Sequence, residues 1–473
     1  MSTGLRCAVA LGGLVLVGVV DFACSSKPPP AAVVIDHDGD VGGGDAGAGF
    51  TFQSLGCGNA GTQSTVAIGG SKVAFASLAK TTMTTTCTVT PGAGMPPMMS
   101  QISVWNVCYA ELQADGTYTS KVVSSQPYAA DPTGVGLAFD SKGNQALVFT
   151  GEGSVMSATR CGANELFLTL SQGGTFGTPT QISHGSPSDG LIASQAGNCS
   201  EGICSKGDTT GLWPAIGFDP NDNAMIPFRD IHFGFGADDF ANSDVELAEG
   251  SGGSFSILTI DVSRGGGDYN RIVFDSAGLP QILQYDDTGG MPGVYINRDV
   301  TPGGLAAQEA DGGWPSTRIS TNKIAEQLGF GLNAQGLYAA AYYDNGVTKL
   351  LYTESTDGST WSDPVSVDTN GSTGFYPSLA FDSNGDPAIA YYRCNAQGPT
   401  NMQCDPADDG LYLARRKSGK WTPEVVHADP ATTDGLYPAL GFVNGKIVIA
   451  FQITSFDPIS MASSASWMVA EGP

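Results

Sequence analysis

One unit recurs along this chain, and its recurrence limits the possible folds more than any single motif. It is clearest at 378–392, SLAFDSNGDPAIAYY: apolar alternation, a D-x-x-G turn, then alternation again. Period-two alternation on both sides of a tight turn describes a hairpin of two short strands. The same shape stands at 136–149, 215–228, 271–285, 329–343 and 439–451, with a weaker copy at 65–76. A second marker counts the units independently. A Gly-containing turn followed by an aromatic residue ends at Tyr118, Phe176, Phe255, Trp314, Trp361 and Trp421, once in each of the first six units. The step is 47 residues from Trp314 to Trp361 and 79 from Phe176 to Phe255. Each unit therefore holds four strands.

A four-stranded sheet of that size buries little by itself. Stacking several face to face in a closed ring covers the faces and protects the inner edges. The sequence thus predicts an all-β fold, a seven-bladed β-propeller, over 50–473; the count falls to six if 65–76 is not a blade. The seventh unit lacks its last strand, since one candidate (466–472) follows Phe451 before the chain ends. Gly49 and Phe50 open a strand, FTFQSL, of the missing kind. This N-terminal strand is expected to complete the last blade and close the ring.

Composition agrees. Gly 65 and Pro 27 suit many tight turns, and only 14% of residues are charged. The net charge of −25 excludes nucleic acid and anionic lipid surfaces as partners. Ahead of the repeats, one Arg6 and an apolar run at 7–20 read as a signal peptide over 1–23. The run ends in Asp21, Phe22, Ala23 and Cys24, which resembles a bacterial lipobox with Cys24 as the lipidated residue. Ala23 fits that pattern and Asp21 departs from it; secretory cleavage slightly downstream is the alternative. Either route exports the chain, and the first makes it an outer-membrane or cell-surface lipoprotein. Residues 24–49, rich in Gly, Pro and Asp, read as a disordered acidic tether. Asp36, Asp38 and Asp40 resemble the start of a calcium loop, but Val41 stands where the turn needs Gly. An acidic spacer is the reading adopted, and no cofactor is expected, with structural calcium as the alternative.

Setting aside Cys7 and Cys24, the Cys 10 of the chain leave an even set: Cys57, Cys87, Cys108, Cys161, Cys199, Cys204, Cys394 and Cys404. In an exported chain these read as disulfides. Cys199 with Cys204 and Cys394 with Cys404 are the local pairs, while the other four can pair in three ways. Scattered histidines and the lack of CxxC pairs argue against zinc.

The segment STDGSTW at 355–361 is one residue short of an Asp box, carried by Ser355, Asp357, Gly358, Thr360 and Trp361. The repeat thereby resembles the sialidase-like propellers of bacteria. That resemblance implies a propeller in which the Asp box is a structural turn between outer strands. It carries over no sialidase-like activity, because only nine arginines follow the leader and no Arg-Ile-Pro signature occurs.

Function is expected on one face. The long connections 77–101, 183–212, 229–244 and 393–410 share a rim, and the eight cysteines fall in or beside such connections. A G-x-aromatic triplet precedes the first strand of four blades and sets Trp213, Tyr269, Tyr376 and Tyr437 around the channel mouth. Asp230, Asp286, Asp344 and Arg393 end the second strand of four successive blades, where they could grip a polar ligand. The expectation is a monomeric surface protein that binds glycan or protein on this rim. A sialidase-like glycoside hydrolase and an envelope scaffold are the alternatives.

Overall fold

The structure, a computed structural model, describes residues 49–89, 98–128, 132–153, 162–184, 209–231, 243–261, 265–287, 291–300, 314–324, 326–394, 409–457 and 462–473. These form seven antiparallel sheets, each built on a path of four strands, with no helix among the described residues. The protein is a seven-bladed β-propeller. Blade 1 spans 62–128, blade 2 135–181, blade 3 209–261, blade 4 268–318, blade 5 329–366, blade 6 372–427 and blade 7 433–472. Every hairpin unit read in the sequence, including 65–76, falls on the first two strands of its blade, although in blade 3 the first strand is split into Thr209–Leu212 and Gly217–Phe218.

Blade 7 takes its fourth strand from the other end of the domain. Thr51–Ser54 lies antiparallel to Ala462–Gly472, pairing Thr51 with Glu471 and Ser54 with Met468. Leu55 extends the seam by donating its N–H to the Trp467 carbonyl at 2.8 Å. The ring closes as the sequence predicts.

The core follows the ring. It is divided into seven main clusters, and each lies between two adjacent blades. The second strands explain why. Their residues alternate between faces, and both faces meet a neighbour. In blade 4, Ile282 joins the cluster shared with blade 3, while Leu283 and Tyr285 join the one shared with blade 5. Such strands are buried on both sides and therefore read as continuous apolar runs.

The aromatic of the second marker is a wedge in the same seams. Phe176 of blade 2 meets Tyr109 of blade 1 edge-on at 4.9 Å, and Trp421 of blade 6 meets Tyr352 of blade 5 at 5.0 Å. Tyr118 of blade 1 donates its hydroxyl to Glu471 Oε1 of blade 7 at 2.8 Å. At 355–361 the turn joins the third and fourth strands of blade 5. Asp357 Oδ1 accepts the N–H groups of Ser359 and Thr360 at 2.8 and 2.7 Å, and Gly358 N–H reaches Ser355 Oγ at 2.9 Å. The Thr360 and Ser359 N–H groups hold the Asp357 carboxyl well below its usual range.

One expectation needs correction. The segment 77–101 is not simply a loop. The strands Lys72–Val89 and Met98–Leu112 run on as a paired arm, with Thr84 opposite Ser103 and Val89 opposite Met98. Threonine-rich alternation over 81–86 (TTMTTT) suits such an exposed ladder. The disulfide reading holds for Cys57 and Cys108, and the structure fixes their pairing. Cys57 is bonded to Cys108, which is fully buried inside the third strand of blade 1. That bridge fastens the segment after the closing strand to the first blade. Cys87, on the arm, and Cys394, at the end of a strand, are also disulfide-bonded. Cys24, Cys161, Cys199, Cys204 and Cys404 lie outside the described residues, as do the signal, nearly all of the tether and its acidic triplet.

Candidate functional site at the channel mouth

The first strand of each blade enters the sheet through a kink. The residues at the kink are Gln63, Gly134, Trp213, Tyr269, Gln327, Tyr376 and Tyr437, one per blade, and all have positive φ. For the six side-chain-bearing residues φ lies between 45° and 67°. A left-handed backbone costs an L-residue about 1–2 kcal/mol, so six of them at one register position need a cause. The ladder supplies it: pairing slips at this point in five blades. Such an irregularity bends a strand and re-aims a side chain.

The glycine two residues earlier makes the kink fit. Gly267 has φ of 104°, and a Cβ there would stand 2.8 Å from Arg229 Cβ of the preceding blade. Gly374 is built the same way against Leu350. Only a residue without a side chain allows that approach of neighbouring blades.

Several of the re-aimed side chains meet in pairs. Trp213 and Tyr269 contact edge to face at 5.8 Å, and the Tyr376 and Tyr437 rings lie 4.4 Å apart, tilted by 49°. Gln327 donates its Nε2–H to Gln63 Oε1 at 2.9 Å, joining blades 5 and 1. The structure therefore brings the four predicted aromatics to one end of the channel, half-buried. It adds Gln63 and Gln327 at the same level. Burial and the charge of Glu326 push the phenols of Tyr269 and Tyr376 well above their ordinary range, so both hydroxyls stay protonated as donors.

The second predicted set is arranged differently. Asp230, Asp286 and Asp344 are buried and do not form a solvated rim. Asp344 holds its own loop: it accepts Asn322 Nδ2 on both oxygens at 3.0 Å and the Gly346 N–H at 2.8 Å. That carboxylate is occupied and does not face outward. Arg393 lies over the Tyr412 ring at 4.7 Å.

Sequence reasoning missed the charged centre of the site, which lies one residue to the side. Arg229 is fully buried and pairs with Asp268. Its Nε donates to Ser243 Oγ at 2.9 Å, and its guanidinium lies 3.7 Å from Asp287 Oδ1 and 5.4 Å from the Trp213 ring centroid. Tyr285 stacks near Tyr269 at 6.5 Å. Burial pushes the Asp268 carboxyl up to about 7, against the pull of Arg229 and with the neighbouring charges of Asp287 and Asp286 adding to the rise. Asp287 is raised as well, for the same first reason. A half-exposed aromatic pair thus sits against a buried cation and two carboxyls whose protonation is displaced toward neutral pH. Among the described residues no cluster of His, Cys, Asp and Glu has the arrangement of a metal site.

No protein-family model matches the chain, and no curated protein does. Solved structures match it in outline. A protein of unknown function from Dyadobacter fermentans is 8% identical with a TM-score of 0.43, over 90% of this chain and 99% of that one. A Hadza microbial sialidase is 10% identical with a TM-score of 0.42, over 89% and 94%. An ulvan lyase is 12% identical with a TM-score of 0.42, over 70% and 78%. Likeness this distant says nothing about chemistry.

Proposed function

We propose that this propeller is a glycan-binding module at the channel mouth, displayed at the cell surface by an exported, lipid-anchored chain. The observation that carries the reading is the Trp213–Tyr269 pair seated against Arg229, Asp268 and Asp287. Aromatic faces stack on the apolar faces of sugar rings, and charged or amide groups beside them fix ring hydroxyls. Tyr376 and Tyr437 extend the aromatic surface across the channel. The test is a glycan array with the purified protein, followed by titration of the best hit. Trp213→Ala and Tyr376→Ala should each weaken binding at least tenfold. Unchanged binding in both variants removes the site. Anchoring has a separate check: Cys24→Ala should abolish palmitate labelling.

A hydrolase is the second reading, and Asp268 favours it. A carboxyl kept protonated near neutral pH is what a general acid for glycoside cleavage requires. Turnover of chromogenic glycosides that vanishes in Asp268→Asn would establish it. Absence of turnover alongside tight binding leaves the binding module.

A further inference from the structure

Two residues past Tyr269 on the first strand of blade 4 stands Arg271, which lines a cavity of about 170 Å³ in the channel. At the same position the other blades carry Thr65, Gly136, Ala215, Gly329, Ser378 and Ala439. Blade 4 alone places a charge at this level. Gln63, Thr65, Thr133, Trp213 and Gln327 share the cavity wall with it.

Arg271 contrasts with Arg229 one strand away. Arg229 has two carboxylates and a hydroxyl around it. Arg271 makes one hydrogen bond, from NH1 to the backbone carbonyl of Asn270 at 2.9 Å. Among the described residues no carboxylate lies within ion-pair distance of it. A guanidinium has five N–H donors in a planar fork, and most of this fork is unused. The side chain is half-buried, and a charge even partly withdrawn from water is normally paired. This chain has Asp+Glu 46 against Lys+Arg 21, so acidic partners are plentiful in its composition. Burial lowers the Arg271 pKa to about 10, which still leaves the side chain charged at neutral pH.

We propose that the channel binds a small oxyanion (carboxylate, phosphate or sulfate) on the free edge of the Arg271 guanidinium, with Thr65 and the Gln63–Gln327 pair as flanking polar groups. The fork matches two oxygens of such an anion. The volume is several times the roughly 30 Å³ share of one water molecule. The anion has two sources: a free inorganic ion, or the acid group of a sugar whose ring rests on Trp213 and Tyr269. The second source rests on the glycan reading above.

Titration calorimetry of the purified protein separates them, with sodium sulfate, glucuronate and glucose as probes at constant ionic strength. Sulfate or glucuronate should bind to the native protein, with at least tenfold weakening in Arg271→Gln and partial recovery in Arg271→Lys. Glucuronate binding without glucose binding identifies the sugar acid. Sulfate binding with neither sugar bound keeps the anion site and removes the glycan reading. Thermal melting guards against a folding artefact: without anion, Arg271→Gln should melt no lower than the native protein, since an unpaired, half-buried charge has been removed. Equal affinity in native and Arg271→Gln protein, or no binding of either anion, overturns the proposal.

Discussion

The two rims of the channel are made by opposite strategies. At the hairpin end one device is repeated. Asp140, Asp219, Asp275, Asn333 and Asp382 each use Oδ1 to accept the N–H groups two and four residues on, all at 2.7–3.0 Å. Such a side chain mimics a backbone turn and fixes the loop. At the mouth the backbone is equally uniform, with positive φ in every blade, but the side chains it presents differ: glutamine, glycine, tryptophan and tyrosine. Uniform backbone with uniform side chains is architecture. Uniform backbone with divergent side chains is where the proposed site lies.

Four measurements bear on that contrast. The largest effect belongs to the mouth side. Replacing Cys57 and Cys108 by Ser opens a bridge spanning 51 residues. The chain-entropy cost is about 4 kcal/mol, read from denaturant midpoints. If a turn-rim variant costs as much, the mouth is not the better-braced end. Next is glycine. Gly267→Ala should cost about 3 kcal/mol, combining a left-handed φ with a clash against Arg229, whereas Gly445→Ala at a hairpin turn has open space around its Cβ and should cost about 1. Similar losses at the two would show that blade contact is looser than the 2.8 Å approach implies.

The third is pH. The Asp268 carboxyl is raised, so the native state holds a proton that the unfolded chain releases above its ordinary value of 3.8. Stability is therefore greatest at low pH within this window. It falls as pH rises toward about 7, by at most about 1.4 kcal/mol per unit. Asp268→Asn should flatten the slope, and an unchanged slope assigns the dependence elsewhere. The smallest effect is Asp382→Ala, at about 1 kcal/mol, because two turn N–H groups lose an acceptor but remain near water.

The turn rim was largely legible in the sequence, and the mouth only in part. D-x-x-G is a local signal: acceptor, donors and glycine lie within five residues, so the chain spells out the device. The aromatics Trp213, Tyr269, Tyr376 and Tyr437 were visible through a short triplet. Gln63 and Gln327 occupy the same register position but lack the aromatic ring that marks it in the sequence. Arg229 with Asp268 could not be read at all. They are 39 residues apart and meet only because two blades stack. The acidic set failed for a related reason. Asp344 ends a strand where the sequence places it, yet its partner Asn322 stands 22 residues upstream, in the connection that leads into the same blade.

The closing strand and the Cys57 bridge have a mechanical meaning. Any pull arriving from residues before 49 is applied first to Thr51–Ser54, which can peel from blade 7 one residue pair at a time. The tear then meets Cys57, and the load passes through sulfur into Cys108 in the buried third strand of blade 1. A ring gripped at its own seam would ordinarily open there. This one would lose a single short strand and then resist as a riveted body.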